Sequence, residues 1–360
     1  MRKNRAFIGT RVRKVPHTPD VQQPRKPVGF DRGDKRTLQQ ALALFIRAKE
    51  SESVRPSTIR EYRRHIEYLS DYMINVEGYQ NAFVDDLSED IVRSYITYLL
   101  TEKRRYMSPK GRTGGRKDTS KGLSANTVNI RLRTLRTMCR YWKSAGIIAD
   151  NPMSEIKNVL TDNEEEVPGL SDAEVSAILN SYDEVQFAEW RDKILCLLLL
   201  DTGLRINEAV GLTLERIDFI TYTLLVPSEV AKNRRFREVP ISREVAELLK
   251  ELYDESSHYF GEIEHIFYNA YGEPYNADAF RKRLNRLKGK LGMKRLSPHQ
   301  FRHTFARSYL LNGGDLFTLQ KILDHADINT TRKYVQMDLE HVRSQHNKYS
   351  PIRRIYERRQ

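Results

Sequence analysis

At about 100–200 residues per domain, a chain of 360 residues points to two domains, each able to bury a core without disulfide or metal staples. It carries 61 Lys+Arg against 48 Asp+Glu, a formal charge of +13, with 39% hydrophobic and 30% charged residues. That composition excludes a disordered chain and a small stapled scaffold, and it points to a polyanionic partner.

The excess charge is localised. Residues 1–36 hold eleven Lys/Arg against three Asp, and residues 103–121 hold eight against one, which leaves the remainder close to neutral. Both stretches contain Gly and Pro and read as basic arms suited to a phosphate backbone, where Lys and Arg gain affinity by releasing counterions. Solvated linkers are the plain alternative. Cys139 and Cys196 show no C-x-x-C spacing, and the longest apolar run, Ile194 to Leu200, is far too short to span a bilayer. With no apolar h-region at the N-terminus, the expectation is a cytoplasmic protein with no membrane partner.

Along the chain, Thr37 and Gln40 form a capping-box signature before LQQALALFIRAKE, a first helix. Beyond Pro56, apolar residues at Ile59, Tyr62, Ile66, Leu69 and Met73 share one face of a second. A third runs from about Ser88 to Leu100, and a long fourth from Ser124 carries Val128, Leu132, Leu135, Cys139 and Trp142 on one side. Four such helices predict a small bundle. On the opposite face of the fourth lie Arg131, Arg133, Arg136, Arg140 and Lys143, a positive ridge beside the basic stretch. DNEEEVPG, residues 162–169, reads as a linker. A second capping box, Ser171 with Glu174, then opens one apolar helix expected to run to Asp201. LRINEAVGL is a further helix, TYTLLVPS and REVPIS form a hairpin joined by a basic turn, and IFYNAYGE holds a short strand within otherwise helical sequence.

Chemistry-bearing residues concentrate in the second half. Arg205, after Thr202-Gly203, places a guanidinium at a helix N-terminus, where it suits a phosphate; an ion pair with Glu208 is the alternative. In SPHQFRH, Ser297 is an N-cap, Pro298 sits at the first helical position and Gln300 completes a capping box, so His299 and Arg302 share one face. His299 and His303 have zinc-protease spacing, but Gln300 stands where that chemistry needs Glu, so no metal is expected. His325 precedes Tyr334 by nine residues, and Lys232 lies in the hairpin turn.

Taken together, TGLRINEAVGL, AKNRRFREVPI, SPHQFRHTFA and LDHADINTTRKYVQ resemble the tyrosine recombinase (phage integrase-like) family. The resemblance implies a mainly α fold with a small β component (α+β): an N-terminal helical core-binding bundle and a mixed α/β-hairpin catalytic domain. The implied division is 1–36 basic arm, 37–160 DNA core-binding domain, 161–169 acidic linker, 170–337 catalytic domain and 338–360 tail, exchanged between protomers. It implies Arg205 and Arg302 as a phosphate clamp, Tyr334 as nucleophile, Lys232 as general acid, and His299 and His325 as supporting histidines, His299 accepting the phenol proton.

The implied function is a site-specific recombinase or integrase, or a mobile-element transposase, that cleaves and rejoins DNA through a 3′-phosphotyrosyl link without metal, ATP or other cofactor. The implied partner is double-stranded DNA with inverted half-sites, bound by a homodimer per site and a homotetramer at synapsis. A type IB topoisomerase and a catalytically decayed DNA-binding regulator are the alternatives. Candidate DNA-binding residues are Arg104, Arg105, Lys110, Arg112, Arg116, Lys117, Arg131, Arg133, Arg136, Arg140, Arg234 and Arg235. The sequence departs from the family at Asp324, where Gly is usual before the histidine, and in the length of the 103–121 insertion.

Overall fold

The computed structural model describes residues 35–105, 107, 120–161, 169–227, 236–332, 334, 343 and 346–348, which fall into two compact units divided between residues 161 and 169.

The first unit is helical: α1 (Leu38–Ser51), α2 (Pro56–Asn75), α3 (Glu89–Thr101) and α4 (Ala125–Ser144). Its helix starts follow the expected chemistry. Gln40 N donates to Thr37 Oγ1 and Thr37 N to Gln40 Oε1, closing the capping box. Ser88 and Ser124 cap α3 and α4 by the same side-chain device. The apolar stripes meet in a core that contains Phe45, Ile66, Met73, Val92, Leu132 and Trp142, and Trp142 satisfies its buried indole by donating to Ala41 O at 3.1 Å.

The base of the basic insertion is structured rather than free. Arg105 N donates to Ser120 O at 2.9 Å, Gly122 N to Lys103 O at 3.0 Å, and Arg105 Nε to Gly122 O at 2.8 Å. Gly122 has φ +82°, and a Cβ there would lie 2.3 Å from Leu100 O, so only glycine closes this stem. Lys103 is buried, its Nζ 3.8 Å from Asp71 Oδ2. It belongs to the bundle and not to the arm.

The second unit comprises α5 (Asp172–Asn180), α6 (Phe187–Thr202), α7 (Ile206–Val210), β1 (Ile217–Asp218), β2 (Thr223–Val226), β3 (Arg237–Pro240), α8 (Arg243–Phe260), α9 (Ala277–Lys290), α10 (Pro298–Leu311), α11 (Leu316–Leu323) and α12 (Ile328–Arg332). The strands form an antiparallel sheet in the order β1-β2-β3, with Leu224 opposite Val239. α6 is buried on nearly every side and packs against α8 and α10.

Three local expectations change. The single helix expected up to Asp201 is two, because Val185 N donates to Asp183 Oδ1 and Asp183 N to Glu189 Oε2, a turn that competes with helix at SYDEVQ. Ser297 makes no side-chain cap and Gln300 is buried, so α10 starts on Pro298 alone. IFYNAYGE contributes an isolated bridge between Tyr268 and Pro274 rather than a strand.

Candidate active site

The site begins where α6 ends. Gly203 adopts φ +62°, and a Cβ there would sit 2.4 Å from Phe305 Cδ1 and 2.8 Å from Leu323 Cδ2. This turn puts Arg205 at the N-cap of α7, where its backbone N donates to Glu208 Oε2 at 2.9 Å and its Nη1 to Glu208 Oε1 at 3.0 Å. Glu208 is fully buried and also accepts from Arg237 Nη2 at 2.7 Å. Burial alone would raise its carboxyl, but Arg237 and then Arg205 hold it below the ordinary glutamate value.

Three guanidiniums converge on the C-terminal end of α11. Arg237 Nε donates to Ile322 O at 3.1 Å, Arg302 Nη2 to Leu323 O at 2.6 Å, and Arg205 Nη2 to Asp324 O at 3.2 Å. The physical reason is that the last carbonyls of a helix lack intrahelical donors and carry the negative end of its dipole, so cations gather there. Arg302, 4% exposed, also donates through Nη1 to Gly203 O at 2.7 Å. Burial, then the positive charge of Arg205, lowers its pKa to about 10, which leaves it charged at neutral pH.

His325 follows immediately. Its Nε2 accepts from Arg302 Nη2 at 3.0 Å and its Nδ1 lies 2.9 Å from Thr331 Oγ1. Burial, then Arg302 and Arg205, pulls its pKa down to about 4, so the ring is neutral at pH 7. α12 then returns the chain so that the Tyr334 ring stacks over His325, with centroids 6.3 Å apart at 15°, and meets His303 at 5.2 Å and 57°. Burial raises the Tyr334 phenol, while Arg302 and Arg205 pull it back. His299 is exposed at the start of α10, its ring 6.2 Å from that of His303.

Arg205, Arg302, His325 and Tyr334 are therefore brought together, with His299 one ring further out along α10. Lys232 lies outside the described residues, as do Lys110, Arg112, Arg116, Lys117, Arg234 and Arg235. Arg237 and His303 were not singled out as site residues from the sequence. Arg237 did leave a signal, since it occupies an inward position of β3, in alternation with Val239, where a core residue would be expected.

The ridge expected on α4 is not uniform. Arg131 stacks on the Tyr68 ring at 4.0 Å and Arg136 donates to Ile156 O at 3.0 Å, so both are engaged within the bundle. Arg133 and Arg140 are exposed. Arg133 lines a cleft of about 400 Å³ with Arg60, His65 and Thr137. Arg104 and Arg105 sit on the stem of the insertion. Among the described residues, no helix is long and apolar enough to cross a membrane.

Comparison with known proteins gives the family and the fold. Residues 169–341 match the phage integrase family and residues 41–159 match the phage integrase SAM-like domain. Tyrosine recombinase XerC of Listeria monocytogenes is 26% identical over 291 residues, covering 78% of this chain and 93% of that protein. Tyrosine recombinase XerD of Staphylococcus aureus is 26% identical over 303 residues, covering 82% and 92%. Among solved structures, the Tn1549 transposon integrase in complex with a circular intermediate DNA shares the fold, with a TM-score of 0.65 at 22% identity over 87% of this chain and 99% of that one.

Proposed function

The chain belongs to the phage integrase family of tyrosine recombinases, site-specific enzymes that cleave and rejoin DNA, and from that premise we propose that Tyr334 is its nucleophile and Arg205 and Arg302 its phosphate clamp. The observation that carries this reading is the gathering of both guanidiniums and the Tyr334 ring at one end of α11.

In the proposed step, Tyr334 Oη forms a bond to phosphorus as the bond to the 5′-oxygen breaks, giving a 3′-phosphotyrosyl link and a free 5′-hydroxyl. Negative charge grows on the non-bridging oxygens, and two pre-positioned guanidiniums stabilise it with paired N–H donors. Because burial holds the phenol above its ordinary value, attack needs a proton acceptor as well as the cationic field. The α10 imidazoles are the candidates for this, His303 facing the Tyr334 ring at 5.2 Å and His299 following at 6.2 Å. Lys232 delivers the proton to the departing 5′-oxygen. The phosphotyrosyl link conserves the phosphodiester energy, so religation to a new strand needs no nucleotide.

Double-stranded DNA with inverted half-sites is the proposed substrate, bound by a dimer and paired as a tetramer. Arg133 and Arg140, exposed on α4, and the basic insertion supply phosphate contacts. Tyr334→Phe is expected to bind such a duplex while forming no covalent adduct on a nicked suicide substrate; an adduct that survives removes Tyr334 as nucleophile. Cleavage by the unaltered protein is expected to persist in EDTA. Cooperative occupancy of paired half-sites separates this reading from a type IB topoisomerase, which engages a single site as a monomer.

A further inference from the structure

The residue that ends α11 sets a carboxylate among cations. Asp324 adopts φ +53° and ψ +51°, a left-handed conformation that glycine takes without cost. A negative side chain also opposes the helix dipole at a C-terminus. The helix dipole therefore disfavours a carboxylate here more than the backbone does, and a compensating interaction is with arginine. Asp324 Oδ2 lies 3.6 Å from Arg205 Nη1 and 3.9 Å from Arg237 Nη1, on a side chain only 12% exposed. Its own carbonyl accepts from Arg205 Nη2 at 3.2 Å, so one residue engages Arg205 through both main chain and side chain.

The two carboxylates facing these guanidiniums differ in kind. Glu208 is fully buried and bonded to Arg205 at 3.0 Å and Arg237 at 2.7 Å. The Asp324 side chain is slightly exposed, but its Oδ2 is buried and meets the same pair at 3.6 and 3.9 Å, beyond direct hydrogen-bond length. Glu208 thus holds both guanidiniums by direct bonds, whereas the Asp324 carboxylate meets them at ion-pair range.

We infer that Asp324 is a resident anion of the arginine cluster, occupying Arg205 and Arg237 while no DNA is bound and yielding Arg205 to the scissile phosphate. This rests on the assignment of Arg205 as a phosphate ligand. The carboxylate competes with phosphate for the same guanidinium, so it lowers the affinity of the clamp and slows cleavage. The device keeps a strand-cutting centre idle away from its site.

The test uses the full chain, Asp324→Asn and Asp324→Gly. Asn keeps the shape and tolerates the left-handed backbone while losing the charge. Inorganic phosphate affinity is read from thermal midpoints at fixed ionic strength, and cleavage from the rate of adduct formation on a suicide duplex. Both variants are expected to bind phosphate about tenfold more tightly than the unaltered protein and to form adduct several-fold faster. Unchanged phosphate affinity in Asp324→Asn overturns the proposal, as does an effect confined to Asp324→Gly, which belongs to the backbone. Slower adduct formation at an unchanged thermal midpoint also overturns it, by showing that the carboxylate orients Arg205 for catalysis. If no protein forms adduct but the phosphate difference persists, the strand-transfer assignment fails while the competition at Arg205 stands.

Discussion

Arg302 Nη2 donates to His325 Nε2 at 3.0 Å, and because a guanidinium has no acceptor, that bond fixes the imidazole with its lone pair on Nε2 and its proton on Nδ1, toward Thr331 Oγ1 at 2.9 Å. His325 is therefore a neutral acceptor that orients the buried arginine, and the same ring stacks under Tyr334. The proposed clamp and the proposed nucleophile share one side chain.

Replacing His325 by Ala removes both contacts. Adduct formation is expected to fall about a hundredfold, the scale of a small misplacement of reacting groups, with DNA affinity little changed. His325→Gln restores an acceptor for Arg302 but not the stacked ring, so partial recovery is expected. Single-turnover kinetics on a suicide substrate measure both; full activity in His325→Ala would separate Arg302 from any need for an orienting partner.

Two histidines, one buried and one half-buried, make stability depend on pH. His65, whose Nδ1 lies 2.9 Å from Thr134 Oγ1, and His325 each have a folded pKa near 4, in both cases chiefly through burial and below the ordinary value of 6.5. Between those values the unfolded chain binds more protons than the folded one, so stability is fully present above pH 6.5 and is lost as pH falls toward 4. Each histidine adds up to about 1.4 kcal/mol per pH unit to that slope. Denaturant titrations from pH 7 to 4 should show the loss. His65→Gln should flatten the curve in the N-terminal unit, and an unaltered curve would mean that His65 titrates normally.

Glu208 and Arg237 form a buried pair whose halves are unequal to lose. Arg237→Gln leaves a buried carboxylate short of its strongest partner and should destabilise the fold by about 3–5 kcal/mol. Adding Glu208→Gln should recover part of that loss, since the two effects are coupled. Equilibrium unfolding of the single and double variants gives the coupling. Additive losses would mean that the two side chains do not act as a pair.

The pair also shows where sequence reading stops. Helices with clear apolar stripes, such as α2 and α4, and the capped starts of α1 and α5 were legible, because period and cap chemistry are local. The joint spacing of Arg205, Arg302 and Tyr334 marked three side chains that the fold gathers at one end of α11. Arg237 was not, because its role depends on a carbonyl 85 residues away and on Glu208 across the sheet edge. His303 was hidden by being the neighbour of a more conspicuous arginine, although helix geometry turns it toward Tyr334. Arg131 and Arg136 share the exposed face by helical period, yet Tyr68 and the Ile156 carbonyl, contributed by other parts of the bundle, capture them.

Gly203 is expected to tolerate no side chain. In Gly203→Ala the Cβ would overlap Phe305 and Leu323 at a φ of +62°, so the α6–α7 turn must shift, at a cost of about 2–4 kcal/mol. The shift moves the carbonyl that receives Arg302 Nη1, so adduct formation should fall more steeply than the thermal midpoint suggests. Calorimetry and cleavage on the same sample compare the two. Loss of stability with undiminished cleavage would place the Gly203 carbonyl outside the clamp.

The basic insertion and its stem make separable predictions about salt. Lys110, Arg112, Arg116 and Lys117 lie between the paired ends at Arg105 and Ser120, whereas Lys103 is buried against Asp71. Each phosphate contact adds about 0.9 to the slope of log K against log salt. Changing those four residues to Gln in a Tyr334→Phe background should lower that slope by up to about 3.6 with little effect on unfolding. Lys103→Gln should do the reverse, since it removes the charge that faces Asp71 in the bundle and leaves the phosphate contacts in place. A slope that responds to Lys103 and ignores the other four cations would mean that the stem carries the DNA contact and those four residues do not.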